Sequence, residues 1–164
     1  MLTQQILKHI LEYNPETGIF IWKNPIRDST KIGKIAGCYR RKNGYVIINI
    51  NKKAYNAHRL AWLYMTGVWP KEDIDHINGK KDDNRLCNLR EATRTQNNGN
   101  MKRRKDNKSG LKGIFWHSQR QKWTAQVAIN GKSKHLGLFD CPAAAHFAYI
   151  IAADKVFGEF ARNF

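Results

Sequence analysis

Cysteine is scarce in this 164-residue chain, and its three copies, Cys38, Cys87 and Cys141, stand far apart with no CxxC pair. That spacing excludes a disulfide framework and a four-ligand structural zinc site, and it leaves the thiols as reduced, mostly structural groups. Long apolar runs are missing, as is any basic amphipathic helix, so no segment reads as spanning a membrane or lying on one. The opening MLTQQILKHILEY has an apolar rhythm at helical spacing. It lacks the charged start, unbroken apolar stretch and small-residue cleavage site of a signal peptide, which points to an intracellular protein. Acidic residues are the most telling shortage: 13 against 29 lysines and arginines, for a formal charge of +16 and a pI of about 10.0. So large an excess predicts a polyanionic partner, by default the phosphate backbone of nucleic acid. What is present, a 41% hydrophobic share with five tryptophans, suffices for one ordinary domain or two small compact ones.

The charge is unevenly divided. Residues 1–57 carry ten Lys or Arg and three acids, 58–98 seven and six, 99–108 five and one, and 109–164 seven and three. Nearly half of the acids therefore sit in one almost neutral central segment between basic arms. That layout suits a metal-dependent nuclease, in which cations hold phosphates and oxygen ligands hold a divalent ion. Ordinary turn chemistry makes Asp82 and Asp83 solvated turn residues. Asp75 differs, because it lies inside the apolar-flanked Ile74-Asp75-His76-Ile77.

Periodicity and punctuation predict an α+β chain. Thr3 caps a helix from about Gln4 to Tyr13 that buries Ile6, Leu7, Ile10 and Leu11, and Asn14-Pro15-Glu16-Thr17-Gly18 stops it. GIFIWK and GYVIINI read as strands, and Asn51-Lys52-Lys53 turns the second back toward AYNAH as a hairpin. RLAWLYMT, Arg59 to Thr66, reads as a helix ended by Gly67. Ile74 to Ile77 is a strand, Asn78-Gly79 opens a charged loop, Asn88 to Ala92 returns as a second strand, and Thr93 caps a helix carrying Arg94, Gln96 and Asn97. Adjacent strand residues point to opposite faces, so Asp75 and His76 share one site only if the strand bends or ends there. KRRKDNKSG, residues 102–110, is an exposed basic linker with a domain boundary.

The order AHRLAW, DHINGKKDDNR, NLREAT and QNN, over roughly His58 to Asn98, resembles the HNH nuclease family. It is most similar to phage-type homing endonucleases whose third motif residue is Asn. The resemblance implies a ββα-metal nuclease core at 58–98, preceded by a basic α/β segment at 1–57. It also implies Asp75 as the first metal ligand, His76 as general base, Asn88 as the residue that orients the loop and the histidine, and Asn97 as the second metal ligand. Many relatives carry His where Asn97 stands, and an amide oxygen is the weaker ligand. The chemistry agrees: a neutral imidazole can take a proton from water near neutral pH. One hard divalent ion, Mg²⁺ ahead of Mn²⁺, polarises the phosphoryl oxygen. For His58 two readings stand, a group near phosphate or metal and a structural group at a helix start. Arg59 either reaches a phosphate or solvates a helix face.

After a basic linker at 99–109, residues 110–164 predict a three-stranded antiparallel sheet backed by one helix. Asn130-Gly131 marks the central hairpin. Trp123, Ala125, Val127 and Ile129 point to the core, and Lys122, Thr124, Gln126 and Ala128 point to water. Asp140 caps a helix from Pro142 that buries Ala144, Phe147, Ala148 and Ile151, with Gly158 ending it. KWTAQV, HLGLFD, AAAHFAY and GEFARNF resemble the AP2 DNA-binding domain, which implies DNA reading by the exposed sheet face. The candidates there are His117, Arg120, Lys122, Thr124, Gln126, Lys134 and His135, while Trp116 and Trp123 are core. Lys102, Arg103, Arg104, Lys105 and Lys108 track phosphates.

Three functions compete. One is a site-specific homing endonuclease acting as a monomer on an asymmetric double-stranded DNA site and nicking one strand. If the chain is phage-encoded, as the resemblance implies, it works in the host cytoplasm. Another is a non-catalytic sequence-specific DNA-binding regulator on a nuclease-like scaffold, and a third is a basic ribosomal RNA-binding protein. The set Asp75, His76, Asn88 and Asn97 favours the first, since a binder needs no base. The lack of an exposed aromatic pair on the wet sheet counts against the third.

Overall fold

A computed structural model describes residues 1–25 and 32–163. The chain is mixed α and β, with small antiparallel sheets and four α-helices among the described residues. It divides into two compact units, Met1–Glu91 and Ala92–Phe164, each with its own core.

The first unit opens with α1 (Gln4–Ile10), capped as expected by Thr3, whose hydroxyl accepts the Ile6 N–H at 3.3 Å. The helix stops three residues short of the expected Tyr13. Leu11–Asn14 forms β1 instead, paired with β2 (Ile19–Trp22), which in turn pairs with β3 (Ile35–Ala36). Both periods place Leu11 inside, and the alternation of buried Leu11 and Tyr13 with exposed Glu12 and Asn14 is the strand's. Ile6, expected in the core, is exposed. A second sheet joins β4 (Cys38–Tyr39), β5 (Val46–Ile50) and β6 (Lys53–Asn56). Its hairpin turns through Asn51 and Lys52 at φ of 49° and 63°. α2 (Ala57–Thr66) follows, with Gly67 as its left-handed C-cap. Gln4 Nε2 reaches Tyr64 O at 2.8 Å and Trp69 Nε1 reaches Leu2 O at 3.1 Å, tying the first helix to the second and its exit. Leu7, Phe20, Ile48, Leu60 and Leu63 fill the core.

β7 (Asp73–His76) and β8 (Leu89–Ala92) form a two-stranded sheet. Next comes α3 (Arg94–Gly99), where Thr93 and Gln96 form a capping box. The division between units falls after Glu91, inside the stretch expected to be one nuclease core. Ala92 already belongs to the second core, and Gly99 lies so close to Phe157 that a Cβ there would meet its ring at 2.6 Å.

In the second unit β9 (Ile114–His117), β10 (Lys122–Ile129) and β11 (Lys132–Phe139) run in the order β11-β10-β9, backed by α4 (Pro142–Phe157). The hairpin, the proline at the helix start and the stop at Gly158 follow expectation. Four details do not. Cys141, not Asp140, caps α4 by accepting the Ala144 N–H, and Asp140 pairs with Lys122 at 3.0 Å. The helix buries Ala145, Tyr149, Ala153 and Phe157, while Phe147 and Ile151 are exposed. AAAHFAYIIAA is apolar nearly all round, so period alone cannot choose a face. Gly113 chooses it: at φ 77° it lies flush under Tyr149, whose ring would sit 1.9 Å from any Cβ there. Thr124, expected in water, is 4% exposed, because its cross-strand neighbours Phe115 and Leu138 cover it from both flanks. Trp116, expected in the core, is exposed at the edge strand, edge-on to Trp123 at 5.3 Å between ring centroids, and Phe115 beside it is exposed too, so the expected lack of exposed aromatics on this sheet does not hold.

The basic stretch 102–108 is part of the second unit. Its cations are exposed, but its backbone is held: Asn107 Nδ2 donates to Leu111 O at 2.9 Å, and Asn107 Oδ1 accepts from Ser109 and from the Gly110 N–H. The Lys112 ammonium gathers three carbonyls at the end of α3, the start of this stretch and the C-terminal tail, those of Gly99 (2.7 Å), Met101 (2.8 Å) and Arg162 (2.8 Å). Burial pulls its pKa down to about 8.

Candidate active site

The site begins where β7 ends. His76 is the last strand residue, and the Gly79 N–H closes a turn on its carbonyl at 2.7 Å. Asp75 and His76 are both 4% exposed, and as strand neighbours they meet different partners. The Asp75 carboxylate accepts from Arg90 Nε on β8 at 3.0 Å. The His76 ring lies edge-on to that of His58 on α2 at 5.0 Å, and 6.0 Å from Tyr45, just ahead of β5.

Asn88 closes the short turn of helix ahead of β8. Its side-chain oxygen accepts the Asn78 N–H at 2.9 Å and its amide donates to Asp83 O at 2.8 Å, so one residue pins both ends of the loop after His76. Asp83 is no solvated turn residue. It receives the Arg85 guanidinium at 2.8 and 2.6 Å and Asn78 Nδ2 at 2.7 Å, and these partners hold its carboxyl well below the usual range. Asp82 is exposed, as expected. Glu91 accepts the Lys71 and Glu72 N–H groups. Several central acids thus answer cations and amides of the same segment.

The loop also has a buttress that sequence reasoning missed. Gly18, at φ 73° in the turn after β1, touches the loop so closely that a Cβ would lie 2.5 Å from Arg85 N and Asn84 C. Tyr13 Oη donates to Asn84 O at 2.7 Å, and the Leu86 N–H donates to Pro15 O at 3.0 Å. No local signal in the sequence links a turn near residue 16 to a loop near 84.

Burial sets the electrostatics. It pushes the His76 imidazole below its ordinary 6.5, against the pull of an Asn84 hydrogen bond and of the Asp75 and Asp83 carboxylates. Burial first, then repulsion from His76 and Arg59, takes His58 down to about 3. Burial thus favours the neutral form of both rings. His58 is a buried helix-start residue against the candidate base, and its Nδ1 has no hydrogen-bond partner among the described residues. Lys81 was not foreseen. Its ammonium sits 4.8 Å over the Tyr45 ring, and its charge helps to keep His76 neutral.

Arg59 donates to Pro70 O at 3.1 Å and Glu72 O at 3.2 Å. Asn97 lies on α3 in the second unit. Of the sheet candidates, Arg120, Lys134 and His135 are exposed and His117, Lys122 and Gln126 half-buried, with Gln126 accepting from Ser133 at 2.9 Å. Among the described residues no group of three or more His, Cys, Asp or Glu could hold a metal ion. The Asp75 carboxylate, with one oxygen on Arg90, is the hard donor type that a divalent cation would take.

Comparison with known proteins fits this geometry. The HNH endonuclease family pattern matches residues 55–99, from the end of β6 through α3. Protein 3.8 of Escherichia phage T7 is 36% identical over 111 residues, which cover 67% of this chain and 91% of that protein. An uncharacterized HNH endonuclease of Acanthamoeba polyphaga mimivirus is 31% identical over 125 residues, covering 75% of this chain and 64% of that one. No solved structure matches the chain.

Proposed function

The chain belongs to the HNH endonuclease family, and from that premise we propose that it is a site-specific DNA endonuclease of the homing type, with His76 as its general base. The observation that carries this reading is a buried, neutral imidazole beside a buried carboxylate at a strand end, with the following loop pinned by Asn88. His76 takes the proton of the water that attacks phosphorus. The nearby Asp75 charge favours the imidazolium that results, and Arg90 holds that carboxylate in place. Asn88 keeps the loop, and with it the histidine, from drifting. Lys81 stands at the site as a cation for the phosphate. A hard divalent ion, Mg²⁺ by the donor chemistry with Mn²⁺ as substitute, would be held by Asp75 and would supply charge stabilisation at the phosphoryl and leaving oxygens.

The second unit, in this proposal, chooses the site through its AP2-like sheet, with the exposed cations of 102–108 on phosphates. One base and one metal position per chain make a monomer that nicks, working in the host cytoplasm of a phage-encoded protein. Among the described residues no helix is long and apolar enough to cross a membrane.

The experiment is incubation with supercoiled plasmid and Mg²⁺, with and without chelator. Open circle should form first, and linear DNA late or not at all. Linear product from the outset, with a rate rising as the square of protein concentration, overturns the monomeric nickase. Full activity in excess EDTA removes the metal. A non-cleaving DNA-binding regulator is the second reading, favoured by the Arg90 ion pair that already neutralises Asp75. Duplex binding without any plasmid conversion selects it.

A further inference from the structure

The second unit contains an open cleft of about 910 Å³, near the top of the roughly 300–1,000 Å³ spanned by small-ligand sites. It lies along the edge of the sheet where β9 gives out. β9 pairs with β10 only as far as Ile114 opposite Ala125, and the Gln126 N–H then meets Gly113 O at 2.9 Å. Among the described residues no strand covers this edge of β10 beyond that point. Groups two residues apart on a strand face the same side of the ladder, so Ala128, exposed and lining the cleft, turns its N–H and C=O toward this open edge. Large apolar side chains stand around it: Met101 is 56% exposed, Trp116 44% and Phe115 43%. Its rim is cationic. Lys102, Arg103 and Lys108 line it, whereas the one carboxylate there, Asp106, is already paired with Arg104 at 3.1 Å.

A solvent-facing apolar wall, a positive rim and an unpaired donor–acceptor edge occur together here, and each narrows the occupant. Flat apolar surface suits a π-face, lysines and arginine suit phosphate, and an N–H beside a C=O suits the hydrogen-bonding edge of a base. Stacked duplex DNA hides its base faces and can use only the rim. A peptide strand could use the backbone edge, but the rim would demand an acidic one, and nothing in it would use the aromatic faces.

We infer that this cleft binds unpaired nucleotides of a DNA strand, with one base against Trp116, another against Phe115 on the opposite face of the edge strand, and phosphates on Lys102, Arg103 and Lys108. The inference deepens the nuclease reading and rests on it for the choice of DNA. It gives the second unit a hold on a displaced or nicked strand, distinct from duplex recognition by the sheet face.

Binding is measured with the full chain in EDTA, so that a protein that never cuts is distinguished from one that binds no single strand. The probes are oligothymidylate, a duplex of equal phosphate count, and oligoglutamate of equal charge. Oligothymidylate should bind more tightly than oligoglutamate and quench tryptophan fluorescence. Trp116→Ala should weaken it about tenfold, the loss expected for one stacked base, and should change duplex binding less than about twofold. Trp116→Phe should restore most of the affinity. Phe115→Ala provides a second variant should Trp116→Ala melt early. Equal affinity for oligoglutamate, an undiminished Trp116→Ala and Phe115→Ala pair, or equal losses on duplex and single strand would each overturn the inference.

Discussion

Two charged stretches of this chain use charge in opposite ways. Between Asp73 and Glu91 much of the charge is spent internally: Asp75 on Arg90, Asp83 on Arg85 and Asn78, and Glu91 on two amides. What emerges is a buried imidazole with a shifted proton affinity. Between Lys102 and Lys108 the cations stand in water, and even the Arg104–Asp106 pair leaves its side chains 81% and 69% exposed. Burial explains the difference. Desolvated groups interact strongly and tune one another's protonation, whereas exposed ones are screened within about 10 Å at ordinary salt and can only attract. Burial lets the first stretch tune its own protonation, while the second keeps its charge in water.

That contrast breaks most visibly at His76. His76→Ala should cut cleavage by roughly 10²–10⁴-fold and leave DNA affinity unchanged, as read by plasmid nicking and by filter binding. Cleavage by the native chain should persist below pH 6.5, because burial keeps the base unprotonated there. Near-native cutting by the variant would remove His76 from its role.

Next in size is acid stability. Below pH 6.5 the unfolded chain takes up a proton at His58 that the folded chain refuses until about pH 3. Stability should therefore fall by about 1.4 kcal/mol per pH unit across that window, and the contribution should be constant above it. Urea midpoints at pH 7 and pH 4.5 measure it, and His58→Gln should flatten the slope.

Gly18→Val tests the buttress. With no room beside Asn84 and Arg85 and a left-handed backbone, it should cost about 1–3 kcal/mol by thermal melting. Cleavage should fall more than DNA binding, because the displaced loop follows directly on His76 and supplies its Asn84 neighbour. The smallest effect belongs to the other stretch. Neutralising Lys102, Lys105 and Lys108 should flatten the log–log salt dependence of binding by about 0.9 for each phosphate that is no longer neutralised, with stability unchanged.

Much of the secondary structure was legible because its signals are local. The Thr3 and Thr93 caps rest on side chains that bond within a few residues, and the Gly67 stop rests on a left-handed backbone that glycine adopts freely. The errors came where period carries no decision. Leu11 satisfies helix and strand alike, and α4 is apolar on every face, so its buried side was assigned one position off. Thr124 looked wet by alternation, yet alternation cannot see Phe115 and Leu138 closing over it.

By itself the sequence determined that the chain is basic with an acidic centre, that Asp75 and His76 fall at a strand's end, and that a hairpin turns at Asn130-Gly131. Each follows from residue type and short spacing, which act through backbone preference and nearest-neighbour bonds. Tertiary structure alone decided that Tyr45, His58 and Lys81 surround the histidine, that Gly18 and Tyr13 brace its loop, and that Trp116 faces water over an open sheet edge. These depend on close approach between residues up to 71 positions apart. Desolvation, which sets the proton affinity of His76, exists only once those distant pieces have closed around it.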